Sequence, residues 1–149
     1  TSLTYKGFEL SANFTYAFGY YIMNSSRWYL DNHNFNGNKP AYMLDMWRQP
    51  GDVTTVPRFD AKNNPSPWAS QFLEDASFLK LKTLRLAYTP SRKLFDKLKV
   101  VKSMTVFCQG ENLATFTSYS GQDPEVSGSI DYMSYPLPVN VTFGVNLNF

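Results

Sequence analysis

Val139-Asn140-Val141-Thr142-Phe143-Gly144-Val145-Asn146-Leu147-Asn148-Phe149 alternates without a break between apolar and polar residues. Side chains of a strand point to opposite faces with a period of two. Val139, Val141, Phe143, Val145, Leu147 and Phe149 therefore share one face, and Asn140, Thr142, Gly144, Asn146 and Asn148 the other. One face is greasy and the other wet. A soluble β-sandwich makes such strands, and so does a membrane β-barrel, whose spanning strands need about 9–11 residues with apolar side chains toward lipid.

Working back from this stretch, residues 8–20 repeat the pattern. Phe8, Leu10, Ala12, Phe14, Tyr16, Phe18 and Tyr20 lie on one side, and Glu9, Ser11, Asn13, Thr15, Ala17 and Gly19 on the other. Tyr5-Lys6-Gly7 ahead of it reads as a tight turn, with Gly7 supplying a backbone angle that other residues resist. Residues 78–88 predict a third strand. Its Leu84, Leu86 and Tyr88 share a face, on which strict alternation also puts Lys80 and Lys82, so its apolar side stays unassigned. Residues 102–115 predict a fourth, with Met104, Val106 and Cys108 on the apolar side.

The connections differ in length. Residues 23–76 are rich in Asn, Pro, Gly, Ser and Trp with no sustained period of two, and read as one long loop with a short helix at residues 42–48. Residues 89–101 are basic (Arg92, Lys93, Lys97, Lys99), and Leu94 and Leu98, four apart, suggest a turn of helix. Residues 117–138, with Gly121, Asp123-Pro124, Gly128 and Pro136, form a second long loop. The order long, short, long suits a barrel that keeps long loops outside the cell and short turns in the periplasm. On that reading Phe149 is periplasmic and both long loops are extracellular.

Composition agrees. Aromatic residues make up 17% of the 149, which suits strands and the aromatic girdles of membrane interfaces. The formal net charge of +2, with both signs scattered, does not point to nucleic acid. No stretch reaches the roughly 18 apolar residues of a transmembrane helix, as expected where only alternate residues face lipid. The first residues show no basic region followed by an apolar run, so no signal peptide is read there. Cys108 is the single cysteine and says nothing of redox compartment.

About four strands cannot close a membrane barrel, since the smallest have about eight and an open edge would leave backbone groups unpaired in lipid. The chain is thus expected to be part of a larger barrel, or one of several copies sharing one. The final octet is informative here. Thr142, Gly144, Leu147 and Phe149 fit the pattern polar, any, Gly, any, any, apolar, any, aromatic, which resembles the signal read by the outer-membrane barrel-assembly machinery.

Five further segments carry a family resemblance. They are Tyr5-Lys-Gly-Phe-Glu-Leu10; Trp47-Arg-Gln-Pro-Gly-Asp-Val-Thr-Thr-Val-Pro-Arg58; Ala76-Ser-Phe-Leu-Lys-Leu-Lys82 with Leu86-Ala-Tyr-Thr89; Gly110-Glu-Asn-Leu-Ala-Thr-Phe-Thr-Ser-Tyr-Ser-Gly-Gln-Asp-Pro-Glu-Val126; and Tyr135-Pro136. In this order they resemble the C-terminal end of a SusC/RagA-type TonB-dependent outer-membrane transporter. Glu111 departs from the family's usual amide and Ala87 from its usual Gly. The resemblance implies an all-β fold, antiparallel transmembrane strands forming the last part of a barrel of about 22 strands. Residues 1–149 would supply that C-terminal part, with the plug domain and the remaining strands lying elsewhere. It further implies import of glycans or oligopeptides with TonB-relayed energy, and a SusD-like surface lipoprotein meeting the long loops. The TonB system would act through the N-terminal part, and membrane lipid and the barrel-assembly machinery complete the partners. No cofactor is implied.

Trp28, Tyr29, Trp47 and Trp68 are candidates for contact with cargo or partner, because flat aromatics with a polar edge grip sugars and peptides, and Arg48 is a candidate for an acidic group. The competing reading is that they hold the loop together. His33, alone among asparagines, is expected to be solvent-exposed, and no acid–base pair emerges from Asp45, Asp52, Asp60, Asp123 and Glu125. With no evident nucleophile, metal cluster or carboxylate pair, an enzyme is disfavoured. The alternative to the importer is a soluble β-sandwich carbohydrate-binding module.

Overall fold

The structure is a computed structural model that describes residues 1–60, 62, 64–94 and 100–149. Its strands and helix run β1 (Ser2–Tyr5), β2 (Phe8–Ala17), β3 (Tyr21–Asn24), α1 (Ser25–Asp31), β4 (Leu73–Asp75), β5 (Phe78–Tyr88), β6 (Ser103–Thr117), β7 (Ile130–Asp131) and β8 (Asn140–Asn148). They divide into two units. One holds Thr1–Phe18, Phe78–Thr117 and Pro136–Phe149, and the other Gly19–Ser77 and Ser118–Tyr135.

The first unit is a single antiparallel sheet in the order β1-β2-β5-β6-β8. It has five strands where alternation predicts four, because Ser2–Tyr5 is too short to display a period. The two-residue turn from β1 to β2 has Lys6 at φ 46 and Gly7 at φ 87, the pair of positive angles that matches the twist of a hairpin. Gly7 is needed twice over, since a Cβ there would lie 2.5 Å from the Thr89 carbonyl oxygen. The expected helical turn after β5 is a 3-10 turn at Arg92–Leu94; Lys97, Leu98 and Lys99 lie outside the described residues.

Register settles the face that alternation leaves open. Phe8, Tyr88, Val106 and Val145 are cross-strand neighbours, as are Leu10, Leu86, Cys108 and Phe143, and Ala12, Leu84, Gly110 and Val141. Paired residues share a face, so Met104, Val106 and Cys108 lie on the apolar one as expected. Between Asn13 and Phe14 the partners jump from Thr83 to Leu81, leaving Lys82 as an extra residue. That bulge shifts the phase of β5. Leu79 and Leu81 therefore continue the apolar face, opposite Tyr16 and Phe14, whereas Lys80 falls with Thr15 and Thr115 on the polar face. Strict alternation misplaces Lys80 because it has no room for the bulge. Strand β6 absorbs the same irregularity with Asn112, whose φ is 54, and Leu113.

Among the described residues no second layer of this unit covers the apolar face: Phe143 is 78% exposed, and Leu3, Leu10, Tyr16, Leu86 and Val141 are exposed with it. The polar face carries its own contacts. Arg85 pairs with Glu9 at 3.7 Å and lies 4.8 Å from the centre of the Phe107 ring. That ring covers Gly144, where a Cβ would come within 2.4 Å of it.

The second unit is built from both long loops together. Instead of one irregular loop, residues 23–76 contain structure: β3, α1, β4 and a 3-10 turn at Ala41–Asp45, in place of the helix expected at residues 42–48. Strand β3 pairs antiparallel with β4 and parallel with β7, so the second loop supplies an edge of the same small sheet. Ile22, Ala76 and Tyr119 form its core, with Tyr20 and Val126 packed on them and Phe72 also fully buried. The Tyr20 hydroxyl donates to the Pro124 carbonyl at 2.5 Å, and Ala76 N–H to the Tyr20 carbonyl at 3.0 Å.

Candidate functional site

The loop unit holds a cavity of about 790 Å³, within the size range of small-ligand sites. Its polar lining includes Asn24, Arg27, Asp31, Gln71, Ser120 and Gln122, and Leu30, Met43 and Val56 are among its apolar residues. These polar groups arrive from three stretches of the sequence, so each needs a local reason for its position.

Asn24 ends β3 and caps α1: its side-chain oxygen accepts the Arg27 N–H at 2.9 Å, satisfying one of the donors that every helix start leaves unpaired. Its amide nitrogen donates to Ser120 Oγ at 3.0 Å and to Glu74 Oε1 at 3.3 Å. One turn of helix separates Arg27 from Asp31, which puts both on one side of α1, with 3.7 Å between Nε and the carboxylate. At the other end of the helix Lys39 Nζ donates to the carbonyls of Leu30 at 3.2 Å and Asn32 at 2.5 Å, satisfying terminal acceptors.

Glu74 is the hub. Its carboxylate accepts from Ser120 N–H and Ser120 Oγ, both at 2.9 Å, and from Arg27 Nη1 at 3.2 Å. Burial by itself would raise its pKa, but the Ser120 and Arg27 bonds outweigh burial and hold the carboxyl below its usual range. Arg27 also gives Nη1 to the Gln71 carbonyl, and its pKa is raised because the pairing with Glu74 and Asp31 prevails over burial. The Tyr42 hydroxyl donates to Asp31, and burial together with that bond pushes it up to about 12. Behind this cluster Tyr119 donates to the fully buried Asp131 at 2.8 Å, and burial followed by that carboxylate raises its pKa as well.

Of the contact candidates read from sequence, Trp28, Tyr29, Trp47, Arg48 and Trp68, none lines this cavity, whereas His33 does. Trp28 and Tyr29 meet edge to face at 5.6 Å, Tyr29 meets Phe35 likewise at 5.1 Å, and Trp28 Nε1 donates to the Pro65 carbonyl at 3.0 Å. Trp47 and Arg48 belong to a self-braced loop: Trp47 N–H reaches the Val56 carbonyl, Asp52 accepts from the N–H groups of Arg48 and Gln49, and the Arg48 guanidinium bonds the Leu44 carbonyl. Trp68 is 66% exposed. His33 is not solvent-exposed as expected but 6% accessible, stacked on Phe59 with ring centres 4.4 Å apart and Nδ1 within 2.9 Å of both backbone polar groups of Asp60. Burial against an aromatic neighbour far along the chain leaves no mark in the local sequence. The cavity's network was equally out of reach, although Asn24 ahead of Ser25-Ser26-Arg27 is a readable helix start.

A single-layer antiparallel meander with one apolar face, bearing a folded loop unit, is the build of a barrel-type outer-membrane transporter segment. Comparison with known proteins narrows the class. No protein-family model matches the chain. TonB-dependent receptor P26 of Formosa agariphila is 32% identical over 165 residues, 99% of this chain, and TonB-dependent receptor P3 of the same organism is 28% identical over 159 residues. The RagAB peptide importer in its closed-closed state superposes with a TM-score of 0.88 at 32% identity over 98% of this chain, and in its open-open state with 0.86 at 33%. The chain spans 16% of the length of P26 and 15% of that of P3. Along nearly all of its own length it is similar to the C-terminal segment of a SusC/RagA-type TonB-dependent outer-membrane transporter.

Proposed function

We propose that the chain supplies wall strands and surface loops to an outer-membrane importer of nutrients that uses TonB-relayed energy. The observation that carries this reading is the layout of the apolar face. Phe8 and Tyr88, with ring centres 4.4 Å apart, mark one end, and Tyr16 and Phe18, at 5.7 Å, mark the other. Leu10, Ala12, Leu84 and Leu86 lie between these ends. From Phe8 to Tyr16 the strand runs about 26 Å, at roughly 3.3 Å per residue, and these nine residues are about the number that a tilted barrel strand needs to cross a membrane. A soluble β-sandwich would need a second sheet over these residues.

In this reading the long loops are extracellular and Phe149 is periplasmic. A SusD-like lipoprotein meets the loop unit, and lipid meets the apolar face. The barrel-assembly machinery reads Thr142, Gly144, Leu147 and Phe149, and TonB acts through parts of the importer beyond these residues. The cargo class is oligopeptide rather than glycan: the structural relatives include a peptide importer, and the cavity combines charged and amide groups with apolar side chains. Trp28, Tyr29, Trp47, Arg48 and Trp68 then brace the loops or meet the lipoprotein.

The test is fractionation and uptake with the full-length parent. It should reside in the outer membrane as a heat-modifiable barrel and import labelled oligopeptides only while TonB is present. Recovery of the bare 149 residues as a stable, detergent-free monomer would sink the barrel reading. Uptake of glycans but not peptides would overturn the cargo class alone.

A further inference from the structure

The cavity of the loop unit is charged unevenly. Arg27 stands against two carboxylates, Glu74 at 3.2 Å and Asp31 at 3.7 Å, so the cluster keeps one negative charge uncompensated. The division between the two is not equal. Glu74 is closer to Arg27 and also takes two bonds from Ser120, while among the described residues Asp31 has the long contact to Arg27 and the neutral Tyr42 hydroxyl. Lys39, the other cation near α1, is engaged with main-chain carbonyls. Of these two carboxylates only Asp31 lines the cavity, its side chain 12% accessible. Beside it stand Gln71, Gln122 and Asn24, whose amides suit the peptide backbone, and Leu30, Met43 and Val56, which suit an apolar side chain.

We infer that this cavity is a subsite for a primary ammonium group of the cargo, held by the Asp31 carboxylate. Two sources carry such a group on an oligopeptide: the α-amino end and a lysine side chain. The inference rests on the oligopeptide reading of the proposed function. An ammonium placed at Asp31 replaces a contact too long for a hydrogen bond with a charge-assisted one, while Arg27 keeps its bonds to Glu74 and Gln71.

The experiment measures binding of a fluorescent oligopeptide to the purified full-length importer. It uses four peptides: unmodified, N-acetylated, lysine-free, and N-acetylated and lysine-free. Removing the ammonium that the subsite uses should weaken binding about tenfold, the value of one charge-assisted hydrogen bond. Acetylation alone acting identifies the α-amino end, and lysine removal alone acting identifies the side chain. Asp31→Asn should abolish this discrimination and Tyr42→Phe, which keeps the charge, should preserve it. Equal binding of all four peptides to the wild type would overturn the ammonium subsite and leave peptide import intact. Loss of discrimination in both variants would overturn direct contact and make Asp31 a brace of the loop. No binding or uptake of any peptide would instead strike at the cargo class.

Discussion

The sheet and the loop unit use opposite strategies. The sheet spends its hydrophobic residues on an uncovered face and is ordered by backbone pairing between long strands. The loop unit has little regular structure and is ordered by a small core and by side chains that bond across wide gaps in sequence, such as Glu74 to Ser120 and Tyr119 to Asp131. A strand in a membrane needs every backbone group paired and has lipid to receive its apolar side chains. A loop in water has no such receiver, and must build a core of its own.

The sharpest way to break this contrast is Glu74→Ala in the full-length importer. It removes the acceptor of four donors and leaves Arg27 without its closest partner, at a cost of about 1–3 kcal/mol. Protection of the loop unit from proteolysis should fall while the barrel stays heat-modifiable; loss of both together would mean the two regions do not fold by separate means. Acid should act in the same direction. The lowered Glu74 pKa contributes stability that is full above the ordinary glutamate value and is lost as pH falls through the lowered one. The protection factors of the loop unit's amides, corrected for the intrinsic pH dependence of exchange, should therefore fall as pH drops below the ordinary glutamate range, and unchanged protection there would deny Glu74 its role.

Phe143→Arg comes next. It should cost about 2–4 kcal/mol in a lipid bilayer if the residue lies near mid-membrane, and Asn146→Arg on the opposite face little. Equal tolerance, measured by urea unfolding of the reconstituted importer, would contradict the face assignment. Gly144→Ala should cost about 1–3 kcal/mol by pushing against the Phe107 ring. Phe107→Leu should restore most of it, whereas a defect that persists in the double variant would favour the assembly signal over packing. The smallest effect belongs to Trp68→Ala, expected within about 0.5 kcal/mol on stability because the ring is exposed. Any loss of lipoprotein binding would then report contact rather than folding.

What the sequence revealed follows the same division. Alternation exposes strands wherever one face is apolar, so Phe8–Ala17, Phe78–Tyr88 and Asn140–Asn148 were visible with their ends nearly right. It fails where the period breaks, as at Lys82, and where a strand is short, as at Ser2–Tyr5. The cavity was hidden for a different reason. Asn24, Arg27, Asp31, Glu74 and Ser120 meet only because two loops fold together, and no local pattern encodes a partner some fifty or a hundred positions away. Of the aromatic residues that stand out in the loops, Trp28 and Tyr29 bond or pack within the loop unit, and Trp68 is exposed.

The bulge at Lys82 has a meaning for how such a strand can change length over generations. Deleting Lys82 would let Thr83 follow Leu81 in ordinary alternation, and every neighbour would keep its face. Deleting Ala87 instead would turn one side of the strand over, exchanging oily for wet along its length, as a lost letter shifts a reading frame. The extra residue is thus a stored insertion, and the one place in this strand where the chain has already shown that it can absorb a change of count.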